Sequence, residues 1–515
     1  MDAIWIVLLV VVAILGAPLF AIFGAASMLL FHALPDTSIT GTANDVFSEK
    51  FADSPLLVTI PLFTFAGYLM AESGTPQRLV KVSRAWLGWM PGGLAMVCLV
   101  ASAFFTTFTG GSGITIVAIG GLLFPALLAD KYDENFSLGL VTTGGSLGLL
   151  FPPSIPMILY GVVAGVMIEK IFLAGLIPGI ITVAALGIYS AYTGVKLKMP
   201  RTAFNGKEAL SAFWEAKWEA ALPVGLLGGM YSGLLRIHEA AAFTAIYVLI
   251  IEVWVYRDVN FRRDLPRIIR EAMTLVGAIL IILSTAIGFT AFLIQARVPM
   301  LILESMEGFI TSQLMFLIAL NVFLIGVGML MDIFSAIVVV VPLIVPIALR
   351  FGVDPYHLGI VFLLNLEIGY MTPPVGLNLF IASFRFNKPI TQLYRSVLPF
   401  IGLLGIALII VTYIPSLSTW LPSLVDDQSV ILGGQGDDED DGGFDLEGLE
   451  AAGDEFDLDD LEGGDDDDEV GLDDDWDPSQ DDEDPWATDE DEEEVDLEAV
   501  EEDGGAEPEP EQASP

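Results

Sequence analysis

Two stretches of this sequence place consecutive prolines and several polar residues inside otherwise apolar segments. They read GSLGLLFPPSIPMILYG over Gly145–Gly161 and NLEIGYMTPPVGLNLF over Asn365–Phe380. A Pro-Pro pair interrupts an α-helix, because proline has no N–H to donate and its ring clashes with the preceding turn. Inside a lipid bilayer, the carbonyls freed in this way must face protein or a wet cavity. Such breaks are typical of sites where backbone oxygens bind a cation and helix N-termini bind an anion.

The two stretches belong to a weak internal repeat with a shift of 221 residues, the distance from Pro152 to Pro373. The matched pairs are Pro125 with Pro346, Leu128 with Leu349, Asp133 with Asp354, Gly148 with Gly369, Pro152 with Pro373 and Pro153 with Pro374. The alternative is that the prolines only kink packed helices, but one proline would be enough for a kink. Two breaks in register therefore favour a duplicated binding region.

A polar, glycine-rich segment precedes each break. FTTFTGGSGITIVAIGG covers Phe105–Gly121, and its counterpart GVGMLMDIFSAIVVVVPLIVP covers Gly326–Pro346. We interpret the first as the tip of a re-entrant hairpin whose backbone is exposed near the middle of the membrane. Close helix packing through small residues would use the same residue types, and this segment alone does not distinguish the two.

Two acidic residues, Asp332 and Glu367, lie in these apolar surroundings. An ionisable side chain at membrane depth is costly and is by default a functional candidate. Either residue could instead cap the free N–H groups of a helix start; we favour this structural role for Asp332 and leave the role of Glu367 open. Asn365, Thr372 and Asn378 surround the second Pro-Pro pair, and their polar groups can satisfy freed backbone or bind a ligand.

The composition divides the chain into two domains. Residues 426–515 hold 43 of the 66 acidic residues and no Lys or Arg, whereas residues 1–425 are nearly neutral and rich in long apolar runs. We therefore predict an all-α, multi-pass transmembrane domain with about eleven or twelve membrane segments, whose repeat halves lie around 92–195 and 312–420. The acidic tail cannot bury enough apolar surface to fold and should be disordered. It could solvate the protein, dock a basic partner or bind Ca²⁺.

Several function classes are disfavoured by what the sequence lacks. Cys98 is the only cysteine, so neither a disulfide framework nor a thiolate metal site is expected. There is no P-loop, no G-x-S-x-G elbow and no paired histidine motif, which argues against an enzyme and against nucleotide-driven transport. Transport would then be driven by an ion gradient, and no nucleic-acid partner is expected.

Motifs spread over residues 1–425 make the body of the chain similar to a known family. They are IPLFTFAGYLM, MPGGLAM, TGGSG, LGLLFPPSIPMILYGVVAG, FLAGLIPG, GMLMD and NLEIGYMTPPVGLNLF. The chain resembles the large membrane subunit of the tripartite ATP-independent periplasmic (TRAP) transporters. The resemblance implies an elevator-type transporter of the bacterial inner membrane, with two re-entrant hairpins and two broken helices in an inverted repeat.

The resemblance also implies a function and partners. It implies import of small, dicarboxylate-like organic anions, with Na⁺ as the coupling ion and no other cofactor. A periplasmic substrate-binding protein would deliver the anion. A small four-helix membrane subunit, expected here as a separate chain, would brace the large one, which also contacts membrane lipid.

Site residues follow from the same resemblance. A first sodium site would use, mostly through backbone oxygens, Thr109, Ser112, Gly148, Phe151 and Pro153. A second sodium site would use Gly326, Gly328, Gly369, Thr372 and Pro374. The substrate would lie between the two hairpin tips, in contact with Ser154, Asn365 and Asn378.

Two departures from the family pattern bear on these expectations. The first hairpin reads TGGS at Thr109–Ser112, where the family reads closer to S-G-S-S; a hydroxyl and a small turn are kept, so sodium binding should survive. Glu367 occupies a position that is often uncharged, and its carboxylate would repel an anion unless it is protonated or paired. The main alternative function is a stand-alone ion-coupled carrier or antiporter without a binding protein. A third is a membrane scaffold that recruits partners through its acidic tail.

Overall fold

The computed structural model describes residues 17–32, 55–199, 203–295, 301, 310 and 312–431, and the regular structure of these residues is helical. The predicted all-α fold is therefore confirmed. The main helices of the described part are α1 Leu19–His32, α2 Thr59–Ala71, α3 Thr75–Leu87, α4 Gly93–Thr109, α5 Ser112–Ala129, α6 Glu134–Gly144, α7 Ile155–Ala164, α8 Ile168–Lys196, α9 Gly206–Glu215, α10 Lys217–Tyr231, α11 Ile237–Val255, α12 Leu265–Gln295, α13 Gln313–Leu330, α14 Ile333–Arg350, α15 Pro355–Gly369, α16 Leu377–Phe386, α17 Ile390–Tyr413 and α18 Ser416–Ile431.

Seven helices of the described part are long and apolar enough to cross a membrane, namely α5, α8, α11, α12, α13, α14 and α17. An eighth span results if α6 and α7, which are bent by 45° at the first Pro-Pro pair, form one broken segment. Four shorter apolar helices, α1, α2, α4 and α16, accompany them. Outward-facing apolar side chains such as Ile188 and Val322 are exposed, as expected for a surface in contact with lipid.

The order of the helices follows the repeat predicted from the prolines. Helices α4 to α8 form the first half, and helices α13 to α17 form the second. Each helix of the second half begins within one residue of the position that a shift of 221 predicts. The helix that follows the first tip, α5, corresponds to α14 at both of its ends, Ser112–Ala129 against Ile333–Arg350.

Equivalent aspartates start equivalent helices in the two halves. Asp133 is the N-cap of α6, and its side chain accepts a hydrogen bond from the Phe136 N–H at 3.1 Å. Asp354 is the N-cap of α15, and its side chain accepts one from the His357 N–H at 2.9 Å. A carboxylate at this position satisfies a free N–H group and complements the helix dipole. The capping chemistry therefore repeats with the same shift as the prolines.

The two halves pack against each other through equivalent pairs of helices. Helix α7 of the first half contacts α14 of the second, and α16 of the second half contacts α5 of the first. The Tyr160 hydroxyl of α7 donates to the Pro355 carbonyl of α15 at 2.7 Å. The Arg385 Nε of α16 donates at 3.0 Å to the Val117 carbonyl in the π-helical part of α5. The breaks therefore lie in a shared core rather than in two separate ones.

Outside the repeat, a buried arginine joins α3 to α10 and α11. The Arg78 guanidinium pairs with Glu219, Glu252 and Asp258, and it stacks on the Tyr256 ring with 3.7 Å between its carbon and the ring centroid. Burial alone would lower the pKa of Arg78, but the hydrogen bond that Arg78 donates to Asp258 and the charges of Glu219 and Glu252 raise it above its ordinary value. The arginine is therefore a permanent cation, and it offsets part of the cost of burying the carboxylates of Glu219 and Glu252.

The ends of the chain extend beyond the described part. Helix α18 continues to Ile431, so the first six residues of the predicted acidic tail, 426–431, are helical. The predicted disorder of residues 432–515 concerns residues outside the described ones. The predicted first membrane helix is described only from Leu19 onward, as α1.

Candidate functional site

The first Pro-Pro pair separates α6 from α7. Helix α6 ends at Gly144, a 3₁₀ turn covers Leu147–Leu150, and Phe151 and Ser154 have extended backbone before α7 begins. The bond between Pro152 and Pro153 is cis. We call residues 145–154 the first break. The predicted broken helix is confirmed at this position.

The second Pro-Pro pair separates α15 from α16 in the same way. Its Pro373–Pro374 bond is also cis, and Gly376 has a positive φ of 57° at the start of α16. The Thr372 hydroxyl donates to the Ile368 carbonyl at 2.7 Å, which leaves its oxygen free to accept or to ligate. The Pro374 carbonyl accepts a hydrogen bond from the Tyr394 hydroxyl at 3.1 Å. We call residues 370–376 the second break.

A glycine lets the backbone approach closely at each break. A Cβ on Gly148 would lie 2.5 Å from the Thr107 nitrogen, and closer still to a carbonyl oxygen of α4. A Cβ on Gly369 would lie 2.6 Å from the Cα of Gly328 in α13. No side chain fits into either space, because the obstructing atoms are backbone. The predicted ligands Gly328 and Gly369 are thus in direct contact, whereas Gly326 has open space around its Cα.

The turn before each break lies against that break. In the first half, α4 ends at Thr109, Gly110 turns the chain with a φ of 60°, and Ser112 begins α5. Both α4 and the start of α5 contact the 3₁₀ turn of the first break. In the second half, the Gly376 N–H donates to the Met329 carbonyl near the end of α13 at 3.3 Å. We call residues 109–112 the first tip and residues 330–332 the second tip.

A hydrogen bond connects the first tip to the helix that follows the second break. The Ser112 hydroxyl donates to the Asn378 side-chain oxygen at 2.7 Å, and both residues are buried. Ser112 is a predicted sodium ligand and Asn378 a predicted substrate contact. The structure therefore places residues from the two predicted functions side by side.

Asp332 caps helix α14 at the second tip. Its Oδ2 accepts from the N–H groups of Phe334 and Ser335 at 3.1 and 3.2 Å, and its Oδ1 accepts from the Ser335 hydroxyl at 2.5 Å. This is the standard geometry of an N-cap carboxylate. All three contacts lie within α14, so they account for an acid at this position without a ligand.

Replacing this cap should separate a structural role from an ionic one. We expect Asp332→Ala to lower the free energy of unfolding by about 1–2 kcal/mol, because two helix N–H groups lose their acceptor. Asp332→Asn retains an oxygen acceptor and should cost less than about 0.5 kcal/mol. Thermal unfolding of the purified chain measures the difference. Loss of transport in a fully stable Asp332→Asn variant would show that the charge itself is required.

Glu367 and Ser146 meet at the interface between the two halves. Glu367 lies in α15 and is 1% exposed, and its Oε1 is 3.3 Å from the fully buried Ser146 hydroxyl in the first break. The two residues are 221 positions apart, so they are equivalent under the repeat. The contact therefore joins one position of the repeat to its own counterpart.

Unpartnered buried polar atoms concentrate around the breaks and the first tip. In the described part of the chain, eleven buried side-chain oxygens and nitrogens lack a hydrogen-bond partner, and seven of them lie in this region. They are Thr109 Oγ1, Thr143 Oγ1, Ser154 Oγ, Asn365 Oδ1, Glu367 Oε2, the Tyr370 hydroxyl and Asn378 Nδ2. Buried polar groups are normally paired, so a concentration of exceptions indicates a place for a ligand, ion or water.

The predicted substrate contacts are placed in two environments. Ser154 is the N-cap residue of α7, and its buried hydroxyl makes no capping hydrogen bond. Asn378 lies in the first turn of α16, beside the first tip. Asn365 lies earlier in α15, where its amide nitrogen donates to Asn321 at 2.7 Å and to Val361 at 2.8 Å. Its hydrogen bonds therefore join it to α13 rather than to Ser154 or Asn378.

The sequence interpretation missed several polar residues of this region. Thr106 lies 2.7 Å from the Thr115 hydroxyl and donates to the Gly145 carbonyl at 2.9 Å, so it connects α4, α5 and the first break. Its signal was present in the threonine-rich run before the first tip. Asn321 had no such signal, because it stands alone in the apolar helix α13. Tyr394 had none either, because it lies in a later helix, 20 positions from its partner Pro374.

Comparison with known proteins identifies the family of this fold. The sequence model described as "Tripartite ATP-independent periplasmic transporter, DctM component" matches residues 6–417. The C4-dicarboxylate TRAP transporter large permease protein DctM of Vibrio cholerae is 34% identical over 444 residues, 82% of this chain and 98% of that protein. The isethionate TRAP transporter permease protein DctMQ of Oleidesulfovibrio alaskensis is 36% identical over 78% of this chain and 64% of that protein.

Two further similarities extend the comparison. The sialic acid TRAP transporter permease protein SiaT of Haemophilus influenzae is 30% identical over 82% of this chain and 69% of that protein. The crystal structure of the YdaH transporter of Alcanivorax borkumensis shares the fold, with a TM-score of 0.54 and 14% sequence identity over 80% of this chain and 98% of that one.

The membrane-length helices and the two broken helices define a multi-pass membrane protein, and the relatives are named as transporter permeases, which are not enzymes. The chain belongs to the DctM family of tripartite ATP-independent periplasmic transporters, in which it is a large permease component. The resemblance noted in the sequence is thereby confirmed.

Proposed function

We propose that this chain is the large permease of a sodium-coupled importer of small, dicarboxylate-like organic anions, which a periplasmic binding protein delivers. One observation carries the proposal: seven unpartnered buried polar atoms lie around the breaks and the first tip. A protein that left these groups without a ligand would lose about 1–3 kcal/mol for each of them. Cations and an anion that enter and leave during transport would satisfy them in turn.

The first proposed cation site lies where the first tip meets the first break. Thr109 contributes a buried hydroxyl without a partner, and Gly148 brings the backbone of the break against α4. Ser112, Phe151 and Pro153 complete the proposed ligands through backbone oxygens. Neutral oxygens suit Na⁺, a hard monovalent cation, because they bring no buried charge of their own.

The second proposed cation site is the equivalent position in the second half. The direct contact of Gly328 with Gly369 places the end of α13 against the second break. The Thr372 oxygen is available on the same segment, and carbonyls of Gly326 and Pro374 are the further proposed ligands. The repeat supports this assignment, since a site in one half implies an equivalent site in the other.

The proposed anion site lies between the starts of α7 and α16. Both helices begin at a break, so the positive ends of their dipoles are available to a carboxylate. Ser154 and the Asn378 amide nitrogen are buried donors without partners at these helix starts. The relatives are named for C4-dicarboxylate, isethionate and sialic acid, all of which are organic anions. We include Asn365 as a more distant contact.

The rest of the machinery follows from this proposal. A small four-helix membrane subunit would hold the scaffold, while re-entrant hairpins and broken helices move together as an elevator. The contacts of α7 with α14 and of α16 with α5 join the two halves, which supports movement of the repeat as one body. The inversion of the repeat and the elevator movement stay predictions.

Uptake into proteoliposomes tests the proposal. The chain and its small subunit are reconstituted, and uptake of labelled succinate, isethionate and sialic acid is measured with and without a sodium gradient and the binding protein. We expect uptake of at least one anion that requires both. Thr372→Val, which removes a hydroxyl at constant shape, should raise the sodium concentration for half-maximal uptake about tenfold, since a hydrogen-bonding group that contacts a charge contributes about 1.5 kcal/mol.

Thr372→Ser is the matched control, because it keeps the hydroxyl and should transport with the sodium dependence of the unsubstituted chain. Uptake that is indifferent to the binding protein would instead support the stand-alone carrier. Uptake that is indifferent to sodium, in any arm of the experiment, would contradict the proposed coupling ion.

A further inference from the structure

The pair Ser146 and Glu367 occupies a special position in the repeat. The two residues are equivalent under the shift of 221, and they also touch. They therefore lie at the interface where the two halves of the repeat meet. Ser146 precedes Gly148 of the first proposed cation site by two residues, and Glu367 precedes Gly369 of the second by two. The pair therefore lies between the two proposed sites.

Glu367 carries a carboxyl group for which the surrounding protein offers little compensation. The residue is 1% exposed, and the hydrogen bond from Ser146 is the one hydrogen bond of its carboxyl group in the described part of the chain. Its second oxygen, Oε2, has no partner. A buried carboxylate without a cationic partner is strongly unfavourable, so a positive charge has to neutralise it.

The hydroxyl that contacts this carboxyl group lies beside a further oxygen. The Ser146 hydroxyl lies 3.3 Å from Glu367 Oε1 and 3.2 Å from the Thr143 carbonyl. The Thr143 hydroxyl is also buried and has no partner. Carboxylate, hydroxyl and carbonyl oxygens are the ligands that hard cations take, and this segment of the chain supplies all three kinds.

We propose that Glu367 and Ser146 form a third cation position between the halves, in which Glu367 Oε2 binds a sodium ion directly. This proposal rests on sodium being the coupling ion of the proposed function. It gives Glu367 the opposite role from the one its charge suggests: the carboxylate is paired with a cation, so it does not repel the anionic substrate. It also explains why an acid is tolerated in the interior of this permease.

The test measures sodium binding to the purified full chain with its small subunit in lipid nanodiscs. We measure equilibrium binding of ²²Na⁺ and the rise of the unfolding temperature with added NaCl, using choline chloride as the salt control. Both quantities are compared between the unsubstituted chain and Glu367→Gln. The isosteric variant should bind one sodium ion fewer at saturation, while the remaining ions keep their affinity within about threefold. Ser146→Ala should weaken the same ion about tenfold, because Ser146 orients the ligand.

Glu271→Gln is the matched control, since this half-exposed glutamate of α12 pairs with Arg267 on the surface; it should leave the sodium stoichiometry unchanged. An unchanged stoichiometry in Glu367→Gln would overturn the proposal, and loss of a pH dependence of uptake in that variant would assign a proton to the carboxyl group instead. Absence of any sodium binding by the unsubstituted chain would contradict the proposed function itself, so the two failures are distinguishable.

Discussion

Gly148→Ala and Gly369→Ala are each expected to reduce sodium-dependent uptake more than tenfold. The added methyl group would collide with backbone atoms, with Thr107 in the first case and with Gly328 in the second. Backbone cannot rotate away as a side chain can, so the break and its tip must separate, at a cost of about 1–3 kcal/mol. Because the proposed cation ligands come from both sides of this contact, their separation should weaken sodium binding. Each tenfold loss of sodium affinity corresponds to about 1.4 kcal/mol of binding free energy.

Gly405→Ala provides the control for these two substitutions. Gly405 lies in α17 with no atom within 4 Å of the position of an added Cβ. Alanine should be accepted there and should stabilise the helix by as much as about 1 kcal/mol. Uptake and its sodium dependence are measured for all three variants. Normal sodium affinity in both Gly148→Ala and Gly369→Ala would contradict the proposed cation sites.

Arg78→Ala is expected to lower the free energy of unfolding by about 3–5 kcal/mol, the typical result of removing one partner from a buried ion pair. The substitution leaves Glu219 and Glu252, which are nearly fully buried, without their cation. It also removes the stacking of the guanidinium on Tyr256. The contact between α3 and the α10–α11 pair should therefore weaken. Thermal unfolding and protease resistance of the purified chain measure the effect.

Arg267→Ala is the control on the protein surface. Arg267 also pairs with two acids, Glu72 and Glu271, but all three side chains are about 40% exposed. Exposed ion pairs contribute about 0–1 kcal/mol, so this variant should unfold close to the unsubstituted chain. Equal stability of Arg78→Ala and Arg267→Ala would show that the buried cluster does not hold the helices together.

The broken helices and the repeat could be predicted from the sequence because both depend on local backbone chemistry. A Pro-Pro pair interrupts a helix wherever it occurs, and an aspartate before a helix caps it in either half, as Asp133 and Asp354 do. The shift of 221 could be recognised in the sequence because prolines at a break and aspartates at a cap are not freely replaced by other residue types. The same argument favoured a capping role for Asp332, where the structure shows three acceptor contacts.

The side-chain pairs of the site could not be predicted, because they join residues far apart in sequence. Ser112 meets Asn378 across 266 positions, and the three acids around Arg78 come from 141 to 180 positions away. No local pattern encodes which distant helices meet. Asn365 is an example: the sequence placed it near the second break, but it gave no sign that the amide nitrogen donates to Asn321 in the neighbouring helix.

The most direct test of the account is to measure sodium and substrate entry in the same proteoliposomes. Labelled sodium and a labelled anion identified in the uptake panel are followed together, in the presence of the binding protein and the small subunit. We predict that adding the anion starts sodium entry in a fixed ratio, and that Gly148→Ala and Gly369→Ala each reduce both movements together, by more than tenfold. Entry of the anion without any accompanying sodium would contradict the claim that the two breaks bind the coupling ions.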